Sequence, residues 1–178
     1  MITLYPGERT ACFIDGSNLS FTASKLRIQI DFKKLFEYLK NQTTLAQAVY
    51  FTAVHTEEDG QVRIQPLIDW LSNNGFIVVS RPTKSFTEVD GTTVVKGNLD
   101  VEIAVRATLL IGKINHFILF SGDGDFTFLV DTLQRNGIRV TVVSSRKTTP
   151  PMIGMELRTQ ADFVEIDEFT DIHKTNPE

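Results

Sequence analysis

Two carboxylates separated by one glycine, Asp123 and Asp125, interrupt an otherwise apolar stretch, Phe-Ile-Leu-Phe-Ser-Gly-Asp-Gly-Asp-Phe-Thr-Phe-Leu-Val over residues 117–130. Like charges held together oppose each other's ionisation, and a divalent cation is the usual reason for tolerating them. The apolar run 117–120 has the length of a buried strand, Ser121-Gly122 ends it, and helical periodicity begins at Phe126. The acids therefore fall just past the carboxyl end of a predicted strand, the edge at which open α/β sheets bind ligands. A plainer reading stands beside this one. Asp is a good helix N-cap, and Asp125, directly before Phe126, is placed to cap. The site reading gains weight only if other acids reach the same edge.

Asp15 is the first such acid: it ends the apolar run 10–14 and is followed by the turn formers Gly16-Ser17-Asn18. Asp100 stands in the first turn of a helix predicted over about 99–110, behind Lys96-Gly97-Asn98, with Asn98 as the expected N-cap. Its plainer role is complementing the helix dipole, worth a few tenths of a kcal/mol. Asp162 is a further candidate, with an exposed turn acid as its alternative. Carboxylates converging without Cys or His suit hard, oxygen-preferring ions, Mg²⁺ or Mn²⁺. The chemistry of such a centre is metal-assisted phosphodiester hydrolysis, with Asp15, Asp100, Asp123 and Asp125 as ligands. Asn18 and Ser121 are candidates to orient the attacking water or a phosphate oxygen, and Ser17 to stabilise the turn.

The elements that must position these residues follow from periodicity. Residues 1–9 read as a lead-in. Asp31 caps a helix with apolar positions Phe32, Leu35, Phe36 and Leu39. A strand over 46–54 leads through a loop (55–60) to a helix over 61–74, which Gly75 ends. Strands are predicted at 76–80, 139–143 and 163–166, helices at 126–136 and 152–157. The polar segment 81–95 reads as a hairpin or flap, and the chain beyond Thr170 as a frayed tail. Strands alternating with helices predict a mostly parallel sheet covered on both faces. The expected architecture is one three-layer α/β/α domain over residues 10–170, with 171–178 as a tail.

Composition bounds the function classes. The 178 residues are 42% hydrophobic and 22% charged, as in a soluble globular domain, and no apolar run is long enough to span a bilayer. The N-terminus lacks a signal-peptide pattern, and one cysteine, Cys12, permits neither a disulfide framework nor a Cys-based zinc site, so a cytoplasmic location is expected. A net charge of −4 excludes electrostatic coating of nucleic acid, so an RNA partner needs a local basic face. Arg81, Lys84, Lys96, Arg106, Arg146 and Lys147 are the candidate substrate-binding cations, with a solvated surface as their plainer reading. Phe86 either stacks on a base or packs under the flap. His55, His116 and His173 are dispersed and support no catalytic triad. No G-x-G-x-x-G follows the first strand, which argues against a dinucleotide cofactor. Oligomers, a homodimer included, are compatible with the sequence.

Three spaced motifs, Phe13-Ile14-Asp15-Gly16-Ser17-Asn18, then 96–105 from Lys96-Gly97-Asn98-Leu99-Asp100 onward, then Phe120-Ser121-Gly122-Asp123-Gly124-Asp125-Phe126, resemble the NYN domain and its LabA-like group within the PIN-like nuclease superfamily. The resemblance covers about 10–166. It implies a Rossmann-like, PIN-like fold, a Mg²⁺- or Mn²⁺-dependent ribonuclease-type site, and RNA as partner. Position by position, Asp15, Asn18, Asp100, Asp123 and Asp125 fall on the family's polar site, with Ser121 beside them. There are two departures. LabA-like sequences often carry an acid six residues after the position of Asp100, where this chain has Arg106, and one extra residue separates Gly97 from Asp100. Glu102 does not substitute, since two residues turn a helix by about 200°.

Other readings compete. Asp123-Gly124-Asp125-Phe126-Thr127 fits the D-x-D-x-T nucleophile motif of haloacid-dehalogenase-type phosphatases, but too little chain follows for that family's further residues. Asp15-Gly16-Ser17-Asn18-Leu19 fails the metal-adhesion D-x-S-x-S pattern at Leu19. The alternative from another class is a non-catalytic RNA- or protein-binding module that keeps the fold.

Overall fold

The computed structural model describes residues 1–54, 63–87, 93–96 and 99–174, with 84–87 and 93–96 described by backbone alone. Its centre is a six-stranded, all-parallel sheet: β1 (Arg9–Asp15), β2 (Thr44–Val54), β3 (Phe76–Pro82), β6 (His116–Phe120), β7 (Arg139–Ser144) and β8 (Asp162–Glu165), in the order β3-β2-β1-β6-β7-β8. Two short strands, β4 (Lys84–Thr87) and β5 (Thr93–Lys96), form a separate antiparallel hairpin, as the 81–95 segment predicts. The helices are α1 (Gly16–Leu26), α2 (Phe32–Gln42), α3 (Gln65–Asn73), α4 (Asp100–Thr108), α5 (Thr127–Arg135) and α6 (Met155–Gln160).

Period-two alternation puts strand residues on opposite faces, and both faces are buried. In β1, Ala11 and Phe13 join one core with Ile103, Leu129, Leu133 and Leu157 of α4, α5 and α6. Cys12 and Ile14 join the other with Leu19, Leu35, Leu39 and Leu71 of α1, α2 and α3. This is a three-layer α/β PIN-like fold. From β1 the sheet grows one way through β2 and β3 and the other way through β6, β7 and β8. The order reverses between β1 and β6, and the crevice beyond their carboxyl ends is the switch point at which such sheets take ligands.

Several elements differ from the sequence reading. Gly16-Ser17-Asn18 is the first turn of α1 and not a free turn, because Asp15 caps the helix and accepts a hydrogen bond from the Asn18 backbone N–H at 3.1 Å. Gly16 is required there by packing: a Cβ would lie 2.5 Å from the Tyr50 ring. Ile2, in the lead-in, is buried against the α2 side of the core, and the Tyr38 hydroxyl donates to its carbonyl at 3.0 Å. Near the C-terminus Ile172 is fully buried, and Ile30 and His173 form an antiparallel bridge, so the chain through 174 is held and not frayed. His55 and the loop around it, and Asn98 as the expected cap of α4, lie outside the described residues. Gly75 ends its helix with φ +91°, as expected for a left-handed C-terminal glycine.

Candidate metal and phosphodiester site

The switch point collects the acids. Asp15 ends β1, and Ser121-Gly122-Asp123 follow β6 directly. Asp123 caps the turn of 3₁₀ helix at Gly124–Phe126, accepting from the Asp125 N–H at 3.0 Å, and that turn leads into α5. Asp123, not Asp125, is therefore the capping acid, because the 3₁₀ turn moves the start of helical structure two residues earlier than periodicity suggests. This leaves the Asp125 side chain exposed at the surface. Asp100 is the first residue of α4, which Leu99 and Ile103 pin into the core on either side of it.

One carboxylate oxygen from each of Asp100, Asp123 and Asp125 lies within 4.8 Å of the other two. Oxygen ligands about 2.0 to 2.5 Å from a hard cation are separated by no more than about 4 to 5 Å, so this spacing fits a shared ion. Asp15 is not a member of that triad, though it lies near enough to Asp123 for their charges to interact. Its Oδ2 accepts from the buried Ser121 hydroxyl at 3.1 Å, while its Oδ1 caps α1. Burial raises the Asp15 pKa; the Asn18 N–H, the Ser121 hydroxyl and the Ser17 N–H oppose this, and the Asp123 charge adds to it. Burial, with a smaller contribution from the Asp15 charge, pushes the Tyr50 phenol up to about 12.

Two hydrogen bonds tie α1 to the strand β6 turn. Ser121 Oγ, besides donating to Asp15, accepts from the Asp123 N–H at 3.3 Å. Asn18 Oδ1 accepts from the Gly122 N–H at 3.1 Å. With its oxygen on an N–H, the half-buried Asn18 turns its NH₂ group, a pure donor, away from that contact. Gly122 itself has no room for a side chain, since a Cβ would meet the Met152 carbonyl at 1.9 Å and Ser144 Oγ at 2.3 Å. The Gly154 N–H donates to the Gly122 carbonyl at 3.0 Å, so the segment before α6 buttresses the turn.

A cleft of about 350 Å³ opens over these groups, lined by Asp15, Ser17, Asn18, Phe21, Leu99, Asp100, Ile103, Asp123 and Met152. A larger groove of about 810 Å³ lies between α1, α2 and α3, walled by Phe32, Tyr50 and Trp70. Size favours the groove and chemistry favours the cleft, where the carboxylates converge. Phe21, Leu99, Ile103 and Met152 escaped the sequence reading. Phe21 had one readable signal, a helical spacing of three from Asn18, hidden by reading 16–18 as a turn.

The candidate cations are dispersed. Arg81 pairs with Glu102 at 3.1 Å, so Glu102 is engaged away from the triad. Arg146 pairs with the buried Glu165 at the end of β8, and its guanidinium sits 5.6 Å from the Phe163 ring centre. Lys147 bridges Asp167 and Glu168 at 2.8 and 3.0 Å. Arg106 is half-buried on α4, about 9 Å along the axis from Asp100 at 1.5 Å per residue. The Lys84, Lys96 and Phe86 side chains lie outside the described residues. Asp162 opens β8 at the opposite edge of the sheet, 3.5 Å from Arg139, and is not part of the acidic group.

A parallel sheet with its acids gathered at the switch point defines the PIN-like class. The chain matches the NYN domain over residues 9–167 and belongs to that family. It is 30% identical over 159 residues to the low amplitude and bright protein LabA of Synechococcus elongatus, covering 87% of this chain and 81% of LabA. The crystal structure of a protein of unknown function from Vibrio parahaemolyticus superposes with a TM-score of 0.74 at 24% identity, over 98% of this chain and all of that one, and shares the fold. Among the described residues no helix is long and apolar enough to cross a membrane.

Proposed function

We propose that this protein is a metal-dependent ribonuclease that hydrolyses RNA phosphodiester bonds at the switch-point cleft. The observation that carries the reading is the mutual approach of Asp100, Asp123 and Asp125 within 4.8 Å in an NYN domain. NYN nucleases are generally dependent on divalent metals, and NYN domains commonly bind RNA. The donor set fits the group: it is all oxygen and carries up to three negative charges, which suits Mg²⁺ or Mn²⁺. At about 4.8 Å, two carboxylates repel by roughly 1 kcal/mol in water and 3 kcal/mol at an effective dielectric of about 20, a cost that a cation reverses. Bound there, the ion would supply Lewis-acid activation of water and neutralise developing charge.

The chain's own residues have separable roles in this reading. Asp100, Asp123 and Asp125 hold the ion. Asp15, positioned by Ser121 and by the α1 N-terminus, stands near Asp123 as an acceptor for a water proton. The Asn18 NH₂ group donates to a phosphate oxygen. Ser121 acts through Asp15 and the Asp123 N–H. The test is cleavage of labelled single-stranded and structured RNAs with Mg²⁺ or Mn²⁺, comparing the wild type with Asp100→Asn. Metal-dependent cleavage lost in the variant supports the reading, and cleavage that persists in it rejects the assignment.

Arg106, standing where LabA-like sequences often carry an acid, favours a second reading: a module that binds RNA without cutting it. RNA binding by the wild type with no cleavage in either metal would select that reading.

A further inference from the structure

We propose that α1 carries a nucleobase subsite beside the acids, in which Phe21 stacks on the face of an unpaired base and Lys25 adds positive charge above the same ring. The inference deepens the phosphodiester reading and rests on it for the location of the substrate. Its basis is the make-up of the cleft. Its lining mixes polar and acidic groups (Asp15, Ser17, Asn18, Asp100, Asp123) with apolar ones (Phe21, Leu99, Ile103, Met152). A ligand that meets both kinds of lining combines a metal-seeking anion with an apolar part, as a nucleotide does.

Of the apolar residues, Leu99 and Ile103 are buried and committed to the core, whereas Phe21 is 53% exposed with its ring on the cleft. Asn18, Phe21 and Lys25 follow one another at spacings of three and four, which places them on one face of α1. The Lys25 ammonium lies 5.2 Å from the Phe21 ring centre. The stripe therefore leads from the helix cap at Asp15, past an amide donor, to an aromatic platform and then to a cation. Stacking on aromatic side chains is how proteins hold single-stranded nucleic acid, and it tolerates any base because every base has a π face. Bases inside a duplex have both faces covered by their neighbours, so the subsite selects unpaired strands.

Fluorescence anisotropy with a short labelled oligouridylate tests this, using the full chain with Asp100→Asn in Mn²⁺ so that the strand stays intact. Phe21→Ala is expected to weaken binding about 5- to 150-fold, the loss of one base–aromatic stack. Phe21→Trp restores it, and oligothymidylate behaves like oligouridylate because the base face is shared. Phe128→Ala is the control, since Phe128 is 81% exposed on α5 and does not line the cleft. Unchanged affinity in Phe21→Ala, an equal loss in Phe128→Ala, equal sensitivity of duplex binding to Phe21, or no binding of any oligonucleotide overturns the subsite. The two proposals fail separately. Cleavage by the wild type with Phe21-independent binding removes the subsite alone, and Phe21-dependent binding without cleavage removes the nuclease reading alone.

Discussion

The two ends of the β1 and β6 pair treat charge in different ways. At the end where the strands begin, Glu8, His116, Arg139 and Asp162 form a network closed on itself. Arg139 meets the Glu8 carboxylate at 2.7 Å, donates to His116 Nδ1 at 3.0 Å, and reaches Asp162 at 3.5 Å. The other ring nitrogen, Nε2, bonds Thr141 Oγ1 at 2.8 Å. Burial and the neighbouring guanidinium lower the His116 pKa to about 3, so the ring is neutral even though Glu8 lies 3.5 Å from Nδ1. Where these two strands finish, Asp15 and Asp123 are held by hydrogen bonds that fix their direction, and no Lys or Arg whose side chain is described forms an ion pair with either. The first end completes its electrostatics with protein groups. Around β1 and β6 the second end is preorganised by hydrogen bonds and gathers acids whose mutual repulsion a cation would relieve.

The contrast can be broken most forcefully at the acidic end. Asp123→Asn keeps the oxygen that caps the 3₁₀ turn and removes the charge. Metal-dependent RNA cleavage should fall by more than about 100-fold, beyond the 10- to 100-fold typical of a residue that only supports a ligand. Circular dichroism should show a melting temperature close to that of the wild type.

The closed end should respond in the reverse sense. Arg139→Ala leaves Glu8 without its cation and should cost about 2 kcal/mol in urea titration, below the 3–5 kcal/mol of a fully buried pair because a quarter of the Arg139 side chain is exposed. RNA cleavage at a temperature where the variant is folded should be unaltered. Equal damage to activity would show that the two ends are not independent.

A pH series sharpens the comparison. The folded His116 pKa, about 3, is below its unfolded value near 6.5, so the unfolded chain takes up the proton first. Stability from this group is full above about pH 6.5 and is lost as pH falls toward 3. Asp15 has the opposite sign: its pKa is raised on folding, so its charged form opposes folding once pH rises through that value. In chelator at neutral pH, Asp15→Asn should therefore raise the melting temperature modestly, by about 2 to 4 °C for each ~1 kcal/mol in a chain of this size. The gain should shrink in acid, where the wild-type carboxyl is already protonated. A melting temperature lowered at neutral pH would contradict the account of Asp15 as a carboxylate held at a cost for function.

Much of the fold and of the acidic edge is legible in the sequence, and what is not legible has physical causes. Alternation of apolar runs with helical periodicity predicts the parallel sheet, and the position of acids just after two of those runs predicts the edge at which Asp15 and Asp123 meet. Helix α1 was hidden because Gly16-Ser17-Asn18 is good turn chemistry in isolation; Tyr50, against which Gly16 packs, is thirty-four positions away. The capping role passed from Asp125 to Asp123 because periodicity does not register one turn of 3₁₀ helix. Arg146 and Lys147 read as candidate phosphate contacts because their partners, Glu165, Asp167 and Glu168, approach only when β8 pairs with β7. Local chemistry predicts which residues can act, and long-range packing decides what each one faces.

Calorimetric titration of Mn²⁺ into the wild type and into Asp123→Asn tests the central claim most directly. The account predicts saturable binding to the wild type, abolished or strongly weakened in the variant while its fold is intact. No binding to the wild type, or binding indifferent to the substitution, would contradict it.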